Sequence, residues 1–381
     1  MCRMPARSAW LAQVVAEYDA QGWHRTGSAT DDRSARWLAD LARQTGAAVS
    51  VSKWGLSRLV HRRSNLRFGG AAVPGVPLYD SPLPPSEGLQ GRLGLPGSGA
   101  DITVVESTPG PSLDDPLEQV RREPVGRAVV AIMHGATPGL ALRNAHSLDT
   151  FGPPVLQVAS TCREALLQAA SHREHATLVV EARRAPATAS NVVATVRGSS
   201  EGGGEVVVLT PRSGWWHCAA ERGGGIACWL QALKLLAARP ERRGVRFVAT
   251  SGHELGYAGL QAYLAETTLD PRATWIHLGA NIGAADGRLG VVASDEELSR
   301  QAFTLLEGPG GCSPFELRTL PGAVGEASQL EGAGLPFVSF VGSSSRFHLP
   351  TDRFPDNVDV PRLTSISDAV TELVRVLAQR V

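Results

Sequence analysis

The feature that most constrains the fold is a regular alternation of apolar runs and amphipathic segments over residues 205–381. The runs EVVVLTPR, GVRFVATSG, RATWIHLGAN and LPFVSFVG have the length and β-branched content of buried strands. Helical periodicity separates them, in GGGIACWLQALKLLAAR, HELGYAGLQAYLAET and DEELSRQAFTLLEG, and returns in PRLTSISDAVTELVRVLAQRV. Strands that alternate with helices form a mostly parallel sheet with helices on both faces. The sequence therefore predicts a three-layer α/β fold.

The segments that follow the predicted strands are candidates for the functional site. They read TPRSGWWH, SGHE, HLGAN and SSSRFHLP, and each carries polar, charged or aromatic side chains. In open parallel sheets, ligands bind beyond the carboxyl ends of the strands. We therefore expect these four segments to meet at one rim of the sheet.

A second region interrupts the α/β pattern. From about residue 68, Gly and Pro become frequent, and the strand-like runs ADITVVES, GRAVVAIM, PPVLQVA and ATLVVEARR follow. The run ASNVVATVRGS at 189–199 then begins a new strand-rich section. We predict one α/β domain made of residues 1–67 and 188–381, interrupted by an inserted β-rich domain of residues 68–187.

Charge and composition limit the classes of partner. Lys plus Arg equal Asp plus Glu at 37 each, so the formal net charge is zero, which gives no reason to expect nucleic acid or an anionic membrane. No stretch approaches the roughly 18 to 20 apolar residues of a membrane span. The five cysteines are widely spaced without a C-x-x-C pair, which favours free thiols. We expect a cytoplasmic protein, either a monomer or a homo-oligomer, that acts on a small-molecule or peptide-like substrate.

The pair His253-Glu254 follows the second of the four predicted strands. It matches the start of the H-E-x-x-H zinc-protease helix, which needs a second histidine four residues after the first. Tyr257 holds that position. The sequence therefore excludes this signature, whereas Gly256 and Gly259 fit a different pattern.

That pattern belongs to a known superfamily. VRFVATSGHELGYAGLQAYL resembles the segment containing the paired glutamates of the zinc aminopeptidase and glutaminyl cyclase superfamily. RFHLPTDRFPDNVD resembles its C-terminal histidine segment, GGGIACWLQALKLLA the helix after its metal-bridging Asp, and SNVVATVRGS the strand that opens its catalytic half. The region with GRAVVAI and GPPVLQVA resembles the protease-associated domain that many of these enzymes carry as an insertion. The resemblance covers nearly the whole chain and implies a zinc-exopeptidase-like fold.

The resemblance also implies an altered metal site. Of the family's ligand positions for two zinc ions, the first His falls on Pro211 and the later Asp on Ala280. The bridging Asp falls on Glu221, the ligand Glu on Glu254 and the last His on His348. Two carboxylates, one imidazole and a water form a tetrahedral zinc site with one open position. One zinc ion on Glu221, Glu254 and His348 is therefore implied, with manganese or cobalt as alternatives.

Two residues are candidates for proton transfer. His253 stands where the family has its general base, and histidine suits proton transfer near neutral pH. Glu326, in GEASQL, lies where relatives carry an Asp that faces the zinc. Six residues near predicted strand ends are candidates for substrate binding: Arg212, Trp215, Trp216, His217, His277 and Asn281.

The leading hypothesis is a metal-dependent hydrolase that cleaves an amide or peptide-like bond. Its substrate would bind between the α/β domain and the inserted domain. A non-catalytic binding protein on the same fold is one alternative. A metal-free lyase or cyclase, with His253 and Glu254 as an acid–base pair, is another.

Overall fold

The structure is a computed structural model that describes residues 6–110, 112, 114–200, 204–308 and 316–380. The helices in this part of the chain are α1 (Ala6–Ala20), α2 (Ala29–Arg43), α3 (Pro116–Arg122), α4 (Arg163–Ser171), α5 (Gly224–Ala238), α6 (Ala258–Glu266), α7 (Glu296–Glu307), α8 (Ala327–Gly332) and α9 (Val360–Gln379). The strands are β1 (Ala48–Phe68), β2 (Ala71–Pro77), β3 (Leu89–Gly94), β4 (Ile102–Ser107), β5 (Ala128–Met133), β6 (Val155–Ala159), β7 (His175–Val196), β8 (Val206–Pro211), β9 (Val245–Thr250), β10 (Thr274–Leu278), β11 (Leu289–Ala293), β12 (Leu317–Thr319) and β13 (Phe337–Gly342).

The strands form one sheet in the order β1-β2-β6-β5-β4-β3-β7-β9-β8-β10-β13-β11-β12, with an additional pairing of β1 and β7. Its central part, β9-β8-β10-β13, is parallel throughout. β7 and β11 flank this part as antiparallel strands. The predicted mostly parallel sheet is therefore confirmed for the α/β part of the chain.

Alternate residues of β8 face opposite layers of helices, as the period of two in a strand requires. Val206 and Val208 belong to the cluster that includes buried side chains of α1, α2, α5, α7 and α9. Val207 and Leu209 belong to a second cluster with side chains of α6 and α8. The three-layer architecture with helices on both faces is confirmed.

The longest strands differ from the prediction. The sequence indicated a short strand at AAVSVS and two separate strands on either side of residue 187, but β1 and β7 each run without a break over more than 20 residues. They pair from Ala48 opposite Thr195 to Phe68 opposite Ala176. Pro186 lies between the two predicted strands, and proline lacks a backbone donor. Proline is tolerated in β7 here because residues 179–191 pair with β1 alone, leaving an open edge.

The elements between β1 and β7 pack around two hydrophobic clusters, one of which also includes side chains of β1 and β7. Strands β2–β6 with α3 and α4 surround these clusters, one containing Ile132 and Leu166 and one containing Leu117 and Met133. The predicted boundary at residue 68 coincides with the end of β1, whereas residue 187 lies inside β7. The division into domains and the likeness to a protease-associated domain stay predictions.

Two further expectations concern the whole chain. In the described part, no helix combines the length and apolar character that a membrane crossing requires. Cys162, Cys218 and Cys228 are free cysteines, as the sequence predicted, while Cys2 and Cys312 lie outside the described residues.

Candidate active site

The carboxyl ends of β8, β9, β10 and β13 carry the polar residues of the candidate site. Because these strands are parallel, their carboxyl ends share one edge of the sheet. Glu221 follows β8, His253 follows β9, His277 lies near the end of β10, and His348 follows β13. Glu326 directly precedes α8 and reaches the same place from another direction.

A cavity of about 540 Å³ opens beside these residues. Its polar wall includes His253, Tyr257, His277, Asn281 and His348. The apolar part of the wall consists of Pro109, Ala280, Ala323, Val324, Val341 and Phe347, among others. Pro109, Gly110 and Asn144 belong to the segment between β1 and β7, so both parts of the chain enclose the cavity.

His253 and Glu326 form a close imidazole–carboxylate pair. The Nδ1 atom of His253 lies 2.8 Å from Oε1 and 2.9 Å from Oε2 of Glu326. Burial alone would raise the pKa of Glu326, but the facing His253 and His277 lower that pKa well below its usual range. The carboxylate is therefore ionised and accepts the Nδ1 proton of His253. With its proton on Nδ1, the ring carries a lone pair on Nε2 that can accept a proton, and the ring lines the cavity.

His277, near the end of β10, contacts the same carboxylate. Its Nδ1 atom lies 2.8 Å from the hydroxyl of Ser339, which is opposite it in the register of β10 and β13. Its Nε2 atom lies 3.4 Å from Oε2 of Glu326. Glu326 is thus held between two imidazoles at the base of the cavity.

His348 and Glu221 form a second group on the opposite side. Nδ1 of His348 donates to the carbonyl of Leu142 at 2.6 Å, which leaves Nε2 as the lone-pair nitrogen. That Nε2 lies 3.5 Å from Oε1 of Glu221, and both atoms are buried without a hydrogen bond. Burial lowers the pKa of His348 to about 4, so the ring is neutral at physiological pH.

Arg222 places a permanent positive charge beside Glu221. The guanidinium is fully buried, and its Nη2 lies 2.9 Å from Oε1 of Glu221. Its Nε donates to the carbonyl of Ser213 at 2.8 Å. Burial would raise the pKa of Glu221, but Arg222, with His348 and His253, lowers it below its usual value.

A π-helical turn, Ala219–Gly223, holds Glu221 and Arg222 in place. Asp352 accepts hydrogen bonds from the backbone N–H groups of Ala220 at 2.9 Å and of Glu221 at 3.0 Å. At Gly224, which follows the turn, a Cβ atom would lie 1.8 Å from the carbonyl oxygen of Ile282. Only glycine permits this close approach, which brings the turn against the loop after β10.

Four non-glycine residues of these loops adopt left-handed backbone conformations. Cys218, Tyr257, Asn281 and His348 have φ values of 56°, 62°, 59° and 60°. Such conformations cost free energy, and they concentrate where a surrounding structure fixes a functional geometry. They are thus consistent with a site whose side chains are held in defined directions.

Glu254 points away from the cavity. Its Oε1 accepts hydrogen bonds from the backbone N–H and the hydroxyl of Thr26, both at 2.8 Å. Its Oε2 accepts from the hydroxyl of Ser213 at 2.7 Å. Glu254 therefore connects the loop after β9 to the segment before α2 and to the loop after β8.

The three metal ligands implied by the resemblance do not converge in this structure. Glu221 and His348 face each other, whereas the carboxylate oxygens of Glu254 are engaged by Thr26 and Ser213. Among residues 6–110, 112, 114–200, 204–308 and 316–380, no group of three or more His, Cys, Asp or Glu side chains is arranged to hold a metal ion. A catalytic zinc site needs three protein ligands and an open position. The residues in these positions do not fit that site.

Four of the six candidate substrate-binding residues have other surroundings. The guanidinium of Arg212 is fully buried and pairs with Asp31 at 2.8 Å. The indole N–H groups of Trp215 and Trp216 donate to Asn144 and to the carbonyl of His348. None of these three lines the cavity, and neither does His217. The other two candidates, His277 and Asn281, do.

Several residues that sequence reasoning did not select lie in or beside the site, among them Tyr257, which lines the cavity. Arg222 is buried beside Glu221, and Asn144 and Phe347 line the cavity. The sequence did offer one signal for Arg222, because it is a charged residue that lies next to the candidate ligand Glu221 in an apolar stretch. Asn144 lies 77 residues before Glu221 and still further from the loop after β9, so no local pattern could have linked it to them.

Comparison with solved structures identifies the fold. A zinc aminopeptidase from Bacillus subtilis superposes with a TM-score of 0.80 at 19% identity, over 98% of this chain and 96% of that chain. An aminopeptidase from Aneurinibacillus sp. strain AM-1 has a TM-score of 0.77 at 16% identity, over 98% and 94%. A glutaminyl cyclase from Porphyromonas gingivalis has a TM-score of 0.54 at 11% identity, over 96% and 97%. By sequence, neither a family profile nor a curated protein matches the chain.

These similarities confirm the fold that the resemblance implied. This chain has the same fold as these two aminopeptidases and this glutaminyl cyclase. At these low sequence identities, the structural similarity shows only the architecture. The chemistry must therefore be argued from the residues of the site.

Proposed function

We propose that this protein is a hydrolase that cleaves an amide or ester bond of a small, uncharged substrate, with His253 as the general base. The contact between His253 and Glu326 is the single observation that carries the proposal. A carboxylate at Nδ1 of a histidine fixes the ring orientation and the tautomer, and it stabilises the imidazolium that forms on proton uptake.

The reaction follows from that tautomer. Nε2 of His253 takes a proton from a water molecule, whose oxygen attacks the substrate carbonyl carbon as the C=O bond opens to an oxyanion. The oxyanion then collapses, the bond to the leaving nitrogen or oxygen breaks, and the proton on Nε2 passes to that leaving atom. Glu326 stays ionised throughout and offsets the positive charge on His253.

Tyr257 is the candidate donor to the oxyanion. It lines the cavity, and its ring lies edge-on to that of His253 with the centroids 5.3 Å apart. Burial raises the pKa of Tyr257 to about 12, so the hydroxyl stays protonated and can donate a hydrogen bond.

The cavity wall favours an uncharged substrate. Among the described residues that line it, none is Asp or Glu. Glu326 lies behind the wall between two histidines, and Glu221 is paired with Arg222. A free ammonium group would thus lack a carboxylate partner, which disfavours peptides with a free α-amine. N-acylated amides or esters with apolar side chains suit the wall better.

The proposal retains the hydrolase predicted from the sequence but not its one-zinc site. It keeps His253 and Glu326, the two residues selected from the sequence for proton transfer, and it drops Glu254, which the metal-free alternative paired with His253. The direction of the Glu254 side chain, toward Thr26 and Ser213, is the reason for both changes.

A matched pair of chromogenic substrates tests the proposal. One is an apolar amino-acid aryl amide with a free α-amine, and the other is the same compound N-acetylated. We expect the parent protein to turn over the acetylated compound in buffer that contains a metal chelator. In His253→Gln the turnover rate should fall by about 100-fold or more. His172→Gln, which changes an exposed histidine, is the control and should leave the rate unchanged.

Three outcomes would contradict the proposal. Equal rates for His253→Gln and the parent protein would remove His253 from the reaction. Preference for the free amine would contradict the substrate class. Thermal stabilisation by the acetylated compound without any product would instead indicate a binding protein on this fold.

A further inference from the structure

Arg222 is a fully buried cation beside the candidate site. Its side chain has no exposed surface, and it leaves the π-helical turn next to Glu221. Besides the contact with the Glu221 carboxylate, Nη1 lies 3.4 Å from the Glu221 carbonyl oxygen and Nε donates to Ser213. An unpaired guanidinium at such depth would be very costly, so its position depends on these partners.

The charge of Arg222 acts on the whole site. Although burial would lower the pKa of Arg222, Glu221 and Glu326 raise it above its ordinary value. The guanidinium also lowers the pKa of His348. One fixed cation is therefore close enough to influence the group containing Glu221 and His348 and the carboxylate of Glu326.

In a site built around a metal ion, the ion supplies the positive charge that allows buried carboxylates to stay ionised. In this protein Arg222 already supplies that positive charge to Glu221. A divalent cation placed between Glu221 and His348 would meet the guanidinium of Arg222, whose Nη2 lies 2.9 Å from the same Oε1 atom, and the like charges would repel. The other carboxylate of the implied ligand set, Glu254, is engaged elsewhere.

We propose that Arg222 is a built-in cation that takes the electrostatic place of a metal ion, so that this site is formed and kept without a bound divalent metal. The proposal concerns Arg222 and Glu221 and does not depend on whether His253 hydrolyses a substrate. Its tests need no substrate, so its failure and that of the proposed function are distinguishable.

The first test measures zinc directly on the full chain. The protein is incubated with zinc chloride, passed through gel filtration and analysed for zinc, and its melting temperature is recorded with zinc and with a chelator. We expect far less than one zinc ion per chain and the same melting temperature in both conditions. About one zinc ion per chain that disappears in His348→Ala would overturn the proposal.

The second test concerns the charge itself and uses three variants. Arg222→Met leaves Glu221 buried without a cation, Arg222→Lys keeps a positive charge, and the double variant Glu221→Gln/Arg222→Met removes both charges. We expect the melting temperature to fall most in Arg222→Met and clearly less in the other two. If Arg222→Met does not fold, folding of the double variant is the expected result. A double variant that is as unstable as Arg222→Met, or that also fails to fold, would overturn the proposal. It would show that Arg222 stabilises the fold through its contact with Ser213 and not through its charge.

Discussion

Nδ1 of His253 lies within 2.9 Å of both carboxylate oxygens of Glu326, a residue 73 positions further along the chain. This contact joins the loop after β9 to the start of α8. Neither residue is close to the other in sequence, and each was selected there for a separate reason. Together they form one orienting unit, in which the carboxylate fixes the ring and the ring faces the cavity.

Glu326→Gln should lower the turnover of the acetylated substrate by about 100-fold or more, because a neutral amide cannot stabilise the imidazolium form of His253. The effect should fall on kcat, with KM little changed, since Glu326 does not line the cavity. Steady-state kinetics check this. Unchanged kcat in a folded variant would show that the carboxylate does not assist His253.

Glu254→Ala should lower the stability of the folded protein. The variant removes an acceptor of three buried hydrogen bonds from Thr26 and Ser213. Hydrogen bonds to a charged group contribute about 1.5–3 kcal/mol, so we expect a loss of at least about 3 kcal/mol in the free energy of unfolding. Urea unfolding measures it. Thr26→Val, which removes one of the three bonds, is the matched control and should cost about half as much or less. A variant as stable as the parent would contradict this role.

Arg212→Met should also destabilise the fold without changing substrate binding. The substitution leaves the buried carboxylate of Asp31 without its guanidinium, a change that costs about 3–5 kcal/mol in other proteins. Asp31→Asn/Arg212→Met removes both charges and should recover part of that loss in urea unfolding. A large rise in KM with unchanged stability would instead support the substrate-binding role predicted from the sequence.

His24 should make the protein sensitive to acid. It is fully buried, its ring stacks on Tyr18 with the centroids 3.7 Å apart, and its Nδ1 has no hydrogen bond. Burial lowers the pKa of His24 to about 3 in the folded state, against about 6.5 unfolded. Above pH 6.5 both states are neutral and His24 has no effect. Below it only the unfolded state gains the proton, so stability falls progressively toward pH 3, by about 5 kcal/mol in total.

Unfolding measured between pH 7 and pH 4 in the parent protein and in His24→Gln tests this expectation. The variant should lose less stability on acidification than the parent, although it starts from a lower value. His348, whose pKa is lowered to about 4, contributes in the same direction in both proteins. His172→Gln is the exposed control and should follow the parent. Parallel pH curves for His24→Gln and the parent would contradict the assignment.

Several elements could be predicted from the sequence because local patterns define them. The strand VVVLTP and the helix after it differ in period, and each period is set by a few neighbouring residues. The long ribbon of β1 and β7 was missed because Pro186 breaks the local strand pattern. Only its partner strand, more than 100 residues earlier, shows that the proline is tolerated there.

In the candidate site, too, some features could be predicted from the sequence and others could not. His253, Glu326 and His348 were selected from the superfamily resemblance and His277 from its place near a predicted strand end. The structure brings their side chains to one region. The direction of Glu254 was beyond sequence reasoning, because it depends on donors from Thr26 and Ser213.

The sequence by itself determined the alternation of strands and helices, the edge of the sheet that carries the polar residues, and the loss of two family ligand positions at Pro211 and Ala280. These properties depend on residue type and spacing. Only the tertiary structure decided that Arg222 pairs with Glu221 and that Glu326 pairs with His253. The physical reason is that a buried charge takes its partner from whatever the fold brings within about 3 Å, and sequence separation carries no information about that distance.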